Sequence, residues 1–219
     1  MCGRYTWEAT HGREFKELVS EPDDPPPPSY NRAPGQSHPC ISRQSGFIQW
    51  DKMLWGHPRS DSSPDGFFPI NARSETVQEK PIFRKSFLGN RCLIPADGWY
   101  EWQVVEGQKY PHNIYAESGE SFAFAGIWKS IDRKNVFSIL TRSAAPNLLH
   151  IHHRAPVALT ENCWEAWLDD KKDETSLISL TKSVQPAWVL KQVGSRVNAT
   201  RNNGPDLLIP DSGKQSLLF

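Results

Sequence analysis

The chain has 219 residues, 37% of them hydrophobic and 23% charged, a balance that excludes a disordered chain and suits a folded domain with a sizeable core. Lysine plus arginine equals aspartate plus glutamate at 25 each, so total charge does not argue for nucleic acid, although a neutral total can hide a local basic groove. No apolar run approaches the roughly 18 residues that span a bilayer, and the opening MCGRYTWEATHGREF lacks a secretory apolar core; the expectation is a cytoplasmic protein with no membrane partner.

In chain order, Phe15, Leu18 and Val19 recur at helical spacing and predict a short amphipathic helix between Glu8 and Val19. It stops before EPDDPPPPSY, whose proline run forces an extended surface connection. Many short β-rich runs follow: CIS, FIQW, CLIPA, WYEWQVV, YPHNIYA, SFAFAGIW, NVFSILT and PVALT. Glu106-Gly107 predicts a hairpin turn, and Glu117–Glu120 and Asp132–Asn135 are expected to separate further strand pairs in the same way. Thr160 reads as the N-cap of a helix over ENCWEAWLDD, with Cys163, Trp164, Trp167 and Leu168 on one face. The expectation is one α+β domain over residues 1–219 with a β-rich, barrel-like antiparallel core and peripheral helices. Residues from about 203 onward read as a polar tail.

The four cysteines are scattered without a CxxC pair, which argues against zinc and against a disulfide framework. Cys40, Cys92 and Cys163 read as small buried hydrophobes. Cys2 differs because removal of Met1 would leave it N-terminal, with two nucleophiles on neighbouring carbons. Its α-amine, near pKa ~7.7–8.0, and its thiol, near ~8.5, would both be partly in reactive form at neutral pH. That pair suits aldehydes: the amine forms an imine and the thiol then closes a five-membered thiazolidine.

Three other segments carry candidate chemistry. In NARSET, Asn71 can orient a reacting group, Arg73 can grip a phosphate, and Glu75 can hold that arginine or an N-terminal amine. In CLIPADGWYEW, Glu101 sits between Tyr100 and Trp102; it either points to solvent on an alternating strand or is desolvated towards acid–base use. In HIHHRAPVAL, a strand would put His150 and His152 on one face and His153 on the other. A catalytic His152 with Arg154 on the same face explains that pattern more economically than a metal site.

Taken together, MCGRY, YNRAPGQ, LWG, INARSET, CLIPADGWYEW, HIHHRAPVAL and the late VN…NNGP resemble the SOS-response-associated peptidase family, in family order and over nearly the whole chain. The resemblance implies a sensor and covalent trap of abasic sites in single-stranded DNA that works without metal or cofactor. It makes Cys2 the crosslinking nucleophile, Asn71 a residue of its pocket, and Glu101 and His152 the acid–base pair. It makes Arg4, Arg73 and Arg154 phosphate contacts. Between His57 and Phe68 the chain lacks the tryptophan pair of some relatives and carries Phe67 and Phe68, which are expected to meet DNA bases in their place. Slow lyase activity, self-processing ahead of Cys2 and a monomeric state complete the expectation. A glutamine amidotransferase, which also begins Met-Cys-Gly, and a reversible DNA reader are the rival readings.

Overall fold

Aromatic and β-branched runs broken by turn residues give thirteen strands and three α-helices among the described residues. The computed structural model describes residues 2–8, 12–21, 26–57 and 67–211. The strands are β1 (Tyr5–Trp7), β2 (Ser29–Arg32), β3 (Ser37–Gln44), β4 (Phe47–Trp55) and β5 (Asn71–Arg73). Helix α1 (Pro81–Gly89) precedes β6 (Arg91–Ala96), β7 (Gly98–Val105), β8 (Gln108–Ala116), β9 (Phe122–Ile131) and β10 (Lys134–Ser143). Then come β11 (Arg154–Pro156), β12 (Ala158–Leu159), α2 (Glu161–Leu168), α3 (Glu174–Thr181) and β13 (Trp188–Gln192).

Five strands close into a barrel: β10 pairs β4, β4 pairs β3, β3 pairs β6, β6 pairs β9, and β9 returns to β10. The expected α+β architecture with a barrel core is therefore present. All these pairings are antiparallel except β10 with β4, and β5 continues along β10 in the same parallel sense. Beyond the end of β9, β11 pairs β10 from Thr141 to Ser143. Strand β10 is thus the shared rail on which β5 and β11 converge. A second sheet, β13-β8-β7-β1-β2, packs against the barrel. Trp99 makes the joint, meeting Phe122, Phe124 and Trp188 edge-on.

The Glu106-Gly107 turn is a hairpin with φ of 50° and 78°, the paired positive values that a two-residue hairpin of primed type requires. Asp132 and Arg133 close β9 to β10 likewise, at 49° and 61° without glycine. Glu117–Glu120 does not make a hairpin: β8 and β9, on either side of it, lie in different sheets. The helix expected near Glu8–Val19 is a 3-10 helix over Gly12–Glu17, with Phe15 buried within it and Val19 buried just after it; residues 9–11 lie outside the described residues. Phe15 stacks on Trp164 at 4.2 Å, so core packing holds this short turn. Helix α2 begins after Thr160 as expected and buries Trp164, Trp167 and Leu168, with Cys163 half-buried; the Thr160 hydroxyl bonds Asn162 rather than the helix end. Cys40 and Cys92 are fully buried.

The segment from 203 does not behave as a tail through 211. Asn203 Oδ1 accepts the Tyr30 N–H at 2.7 Å, Leu207 is buried, and Asp211 accepts the Ser195 N–H at 3.0 Å. Residues 212–219 lie outside the described residues. No helix among the described residues is long and apolar enough to cross a membrane.

Candidate active site

Cys2 lies just ahead of β1, with Gly3 and Arg4 between, and is fully buried. Its carbonyl accepts the Asn71 side-chain N–H at 2.9 Å. Its Sγ lies 3.9 Å from the Arg4 carbonyl. Burial pushes the thiol far above its ordinary pKa, and the nearby Glu101 carboxylate adds to the rise. Burial therefore favours the protonated thiol, and its use as a nucleophile calls for a proton acceptor.

Asn71 opens β5 and pairs Ile139 of β10. Its Nδ2 is held by Cys2, while its Oδ1 is buried with no hydrogen-bond partner among the described residues. Buried acceptors are ordinarily satisfied, so an open carbonyl oxygen beside Cys2 is a place for a substrate or water donor.

Glu101 lies on β7 opposite His112 of β8 and is only 4% exposed. The solvent-facing alternative is therefore excluded, because both faces of this half of β7 are covered. Burial raises the Glu101 pKa. His112 was not foreseen. Its Nδ1 donates to the Tyr110 carbonyl at 3.0 Å, which leaves Nε2 as an acceptor.

His152 is not on a strand. It lies in the turn before β11, so the face alternation expected for His150–His153 does not apply. Its Nδ1 lies 2.9 Å from the Arg154 backbone N–H and 3.1 Å from the Arg154 carbonyl, contacts that suit opposite tautomers of the ring. Its ring stacks on that of His153, 4.5 Å between centroids. Burial lowers its pKa. Among the described residues no group of His, Cys, Asp and Glu could hold a metal ion.

The three arginines differ. Arg73 is exposed and has no side-chain partner among the described residues. Arg4 donates to Asn31 Oδ1 at 2.8 Å and to the carbonyls of Val197 and Asn198 at 2.9 and 3.2 Å. Asn31 in turn donates to the Val197, Ala199 and Asn202 carbonyls. The YNRAPGQ and VN…NNGP motifs, far apart in sequence, are therefore two halves of one buried joint. Arg154 forms a bidentate pair with Glu75 at 2.6 and 2.8 Å and also donates to the Thr141 carbonyl at 2.6 Å. Glu75 holds this distant arginine, not Arg73.

Phe68 is fully buried among core residues, edge-on to Phe83 at 5.7 Å and beneath the Lys129 ammonium at 5.0 Å. It has no face for a nucleobase, which corrects its expected DNA contact. The Phe67 side chain is half-buried, and its carbonyl accepts from Lys129 at 3.3 Å.

Comparison with known proteins points one way. The family model described as SOS response associated peptidase (SRAP) matches residues 1–200. Abasic site processing protein YoqW of Bacillus subtilis is 33% identical, over 95% of this chain and 99% of its own. YedK of Escherichia coli, also named an abasic site processing protein, is 29% identical over 96% of this chain and 100% of its own. Among solved structures, a Bacteroides thetaiotaomicron protein superposes with a TM-score of 0.79 at 22% identity, over 95% of this chain and 99% of that one. A phage-related protein of Bordetella bronchiseptica gives 0.72 at 27% identity, over 88% and 94%.

Proposed function

This chain belongs to the SOS response associated peptidase (SRAP) family, and on that premise we propose that it processes abasic sites in single-stranded DNA by trapping them covalently on Cys2. The observation that carries the reading is the junction at Cys2. Asn71 fixes its carbonyl at 2.9 Å while the Glu101 charge acts on its thiol.

Removal of Met1 frees the Cys2 amine. The ring-opened abasic sugar presents an aldehyde at C1′. The amine adds to that carbon, and loss of water gives an imine. The thiol then adds across the C=N bond: sulfur bonds C1′, and its proton ends on nitrogen, closing a thiazolidine. Because the thiol rests protonated, Glu101 is the group we assign to accept its proton and return it to nitrogen. His152, whose lowered pKa favours the neutral ring, is assigned to donate towards the sugar oxygen during ring opening. The open Oδ1 of Asn71 is assigned to the N–H or O–H of the intermediate. Elimination from the imine would give a slow lyase reaction, and the same acid–base groups would serve self-processing ahead of Cys2.

Arg73, exposed beside Asn71, is the arginine with a guanidinium available to a phosphate, and Phe67 remains the aromatic candidate for a base. The chain is read as a monomer working in the cytoplasm.

The test mixes purified protein with an oligonucleotide carrying one abasic site and separates products under denaturing conditions. Wild type should give a shifted, heat-stable band and Cys2→Ala none; equal bands from both overturn the nucleophile assignment. Cys2→Ser keeps the amine, so it should give only an adduct that borohydride traps at the imine stage. Intact mass should show loss of Met1.

A further inference from the structure

Trp99 and Glu101 stand two residues apart on β7 and so share one face of the strand. Trp99 fixes which face that is, because it meets Phe122 and Phe124 of the barrel. Glu101 is therefore on the barrel side, where its charge acts on the Cys2 thiol. Directly opposite Glu101 on β8 is His112, and Gln192 of β13 stands opposite His112 in turn. Directly opposed residues of an antiparallel pair share a face, with Cβ atoms about 4.5–5.5 Å apart. Next to the apolar row of Trp99, Ile114 and Leu190, the sheet thus carries a polar row of Glu101, His112 and Gln192. Glu101 and His112 are both buried.

We infer that His112 is a positioning residue that acts through Glu101: its Nε2 takes up the Glu101 proton, so that the two side chains work as one acid–base unit. Nδ1 is committed to the Tyr110 carbonyl at 3.0 Å, and a carbonyl can only accept, so the lone pair of the neutral ring is on Nε2. The unit holds one proton. With that proton on His112, Glu101 is a carboxylate and accepts the Cys2 thiol proton as sulfur bonds C1′. Glu101 passes the thiol proton to the imine nitrogen, and His112 then returns its own to Glu101. Over the whole step the pair neither gains nor loses a proton.

Burial favours the neutral form of each member, raising the pKa of Glu101 and lowering that of His112. A buried carboxyl group that keeps its proton is a poor acceptor for a thiol, and His112 supplies the base that relieves it. From the turn ahead of β11, the exposed His150 also acts on His112, and its charge lowers the same pKa further. Gln192, on the other flank of the row, carries no charge, and Tyr110 lies two residues along β8 from His112.

The kinetic part of this inference rests on the covalent-trap reading, whereas the titration part needs no DNA. The variants are His112→Gln, which keeps a polar side chain that cannot take up a proton, and His112→Phe, which keeps a ring without nitrogen. Circular dichroism and thermal unfolding select the variant that remains folded. With saturating abasic oligonucleotide, its single-turnover crosslinking rate should fall about tenfold or more. The half-saturating DNA concentration should stay within about twofold of wild type. In a Glu101→Gln background the same substitution should cost less than about twofold, because residues that act as a unit are not additive. In magnetic-resonance titrations of the imidazoles, wild-type His112 should respond to two proton-uptake steps, one of them shared with Glu101, and Glu101→Gln should leave one. That titration uses wild type and Glu101→Gln alone, so it decides the pair even where neither His112 variant folds. A folded variant that crosslinks at the wild-type rate, an equal fold loss in both backgrounds, or a His112 titration unchanged by Glu101→Gln overturns the inference. So does a loss confined to the half-saturating concentration, which would make His112 a DNA contact. Absence of any adduct with wild type would instead refute the covalent-trap reading and leave the titration to decide the pair.

Discussion

Asn71 and Cys2 are 69 positions apart and are joined by a single hydrogen bond, 2.9 Å from the Asn71 amide to the Cys2 carbonyl. The bond ties the start of the chain to the one strand that continues the barrel's parallel pairing along β10. It leaves the other end of the same amide, Oδ1, open beside the nucleophile.

Asn71→Ala removes the tether and the open acceptor together. One net hydrogen bond is worth about 1 kcal/mol, so crosslinking should slow by roughly fivefold if only orientation is lost, and by more if Oδ1 also binds the intermediate. Asn71→Asp should be slower than Asn71→Ala at neutral pH, because a carboxylate oxygen would then face the Cys2 carbonyl. Rates with saturating abasic oligonucleotide check both; an Asp variant faster than Ala would refute the tether.

Glu101→Gln should separate stability from activity. Burial raises the folded pKa of Glu101, so its protonated form is the one the fold favours. The associated stability is fully present below the ordinary carboxylate pKa and is lost as pH rises through the raised folded value. A neutral isostere escapes that loss. Urea unfolding should find Glu101→Gln more stable than wild type at pH 7.5 and nearly equal to it near pH 4, while crosslinking at pH 7.5 falls. A variant less stable at pH 7.5 would mean that the carboxylate is a structural partner.

His152 gives the opposite sign. Its folded pKa is lowered, by burial first. The neutral form is favoured, and the stability it brings is present above the ordinary histidine value and lost as pH falls through the lowered one. His152→Gln should therefore flatten the stability loss of wild type on the acid side of pH 6.5. Unfolding midpoints across pH 4.5–7.5 would show it.

Phe68→Ala should act on stability alone. A fully buried phenylalanine packed on Phe83 typically costs about 3–5 kcal/mol when truncated. Denaturant unfolding measures that loss, and DNA affinity per folded molecule should not change. Phe67→Ala, at the half-buried neighbour, should weaken single-strand binding with a much smaller effect on folding.

Arg4→Ala should loosen the late segment rather than the DNA contact. Its loss removes donors from Asn31 Oδ1 and from the Val197 and Asn198 carbonyls, about 1–3 kcal/mol where such acceptors are left unmet. Hydrogen exchange should rise over residues 195–209, with the salt dependence of binding unchanged.

Local patterns in the chain were enough for the barrel class, the Glu106-Gly107 hairpin and the apolar face of α2, because each depends on residues within a few positions: paired positive φ at a turn, or a 3.6-residue recurrence of tryptophans. The motifs also marked Cys2, Asn71, Glu101 and His152 as candidates. Sequence left Glu101 undecided between solvent and burial, misread the His150–His153 turn as strand, and exposed a Phe68 that lies in the core. Nor did it separate Arg73 from Arg154, two arginines of the same chemistry. Tertiary structure settled these points because desolvation and ion pairing are set by atoms that arrive from elsewhere in the chain. Glu75 and Arg154 are 79 positions apart, and nothing in either neighbourhood says that they meet. The fold brings them together by laying β5 and β11 along one strand, β10, and there Arg154 is ion-paired while Arg73 stays exposed.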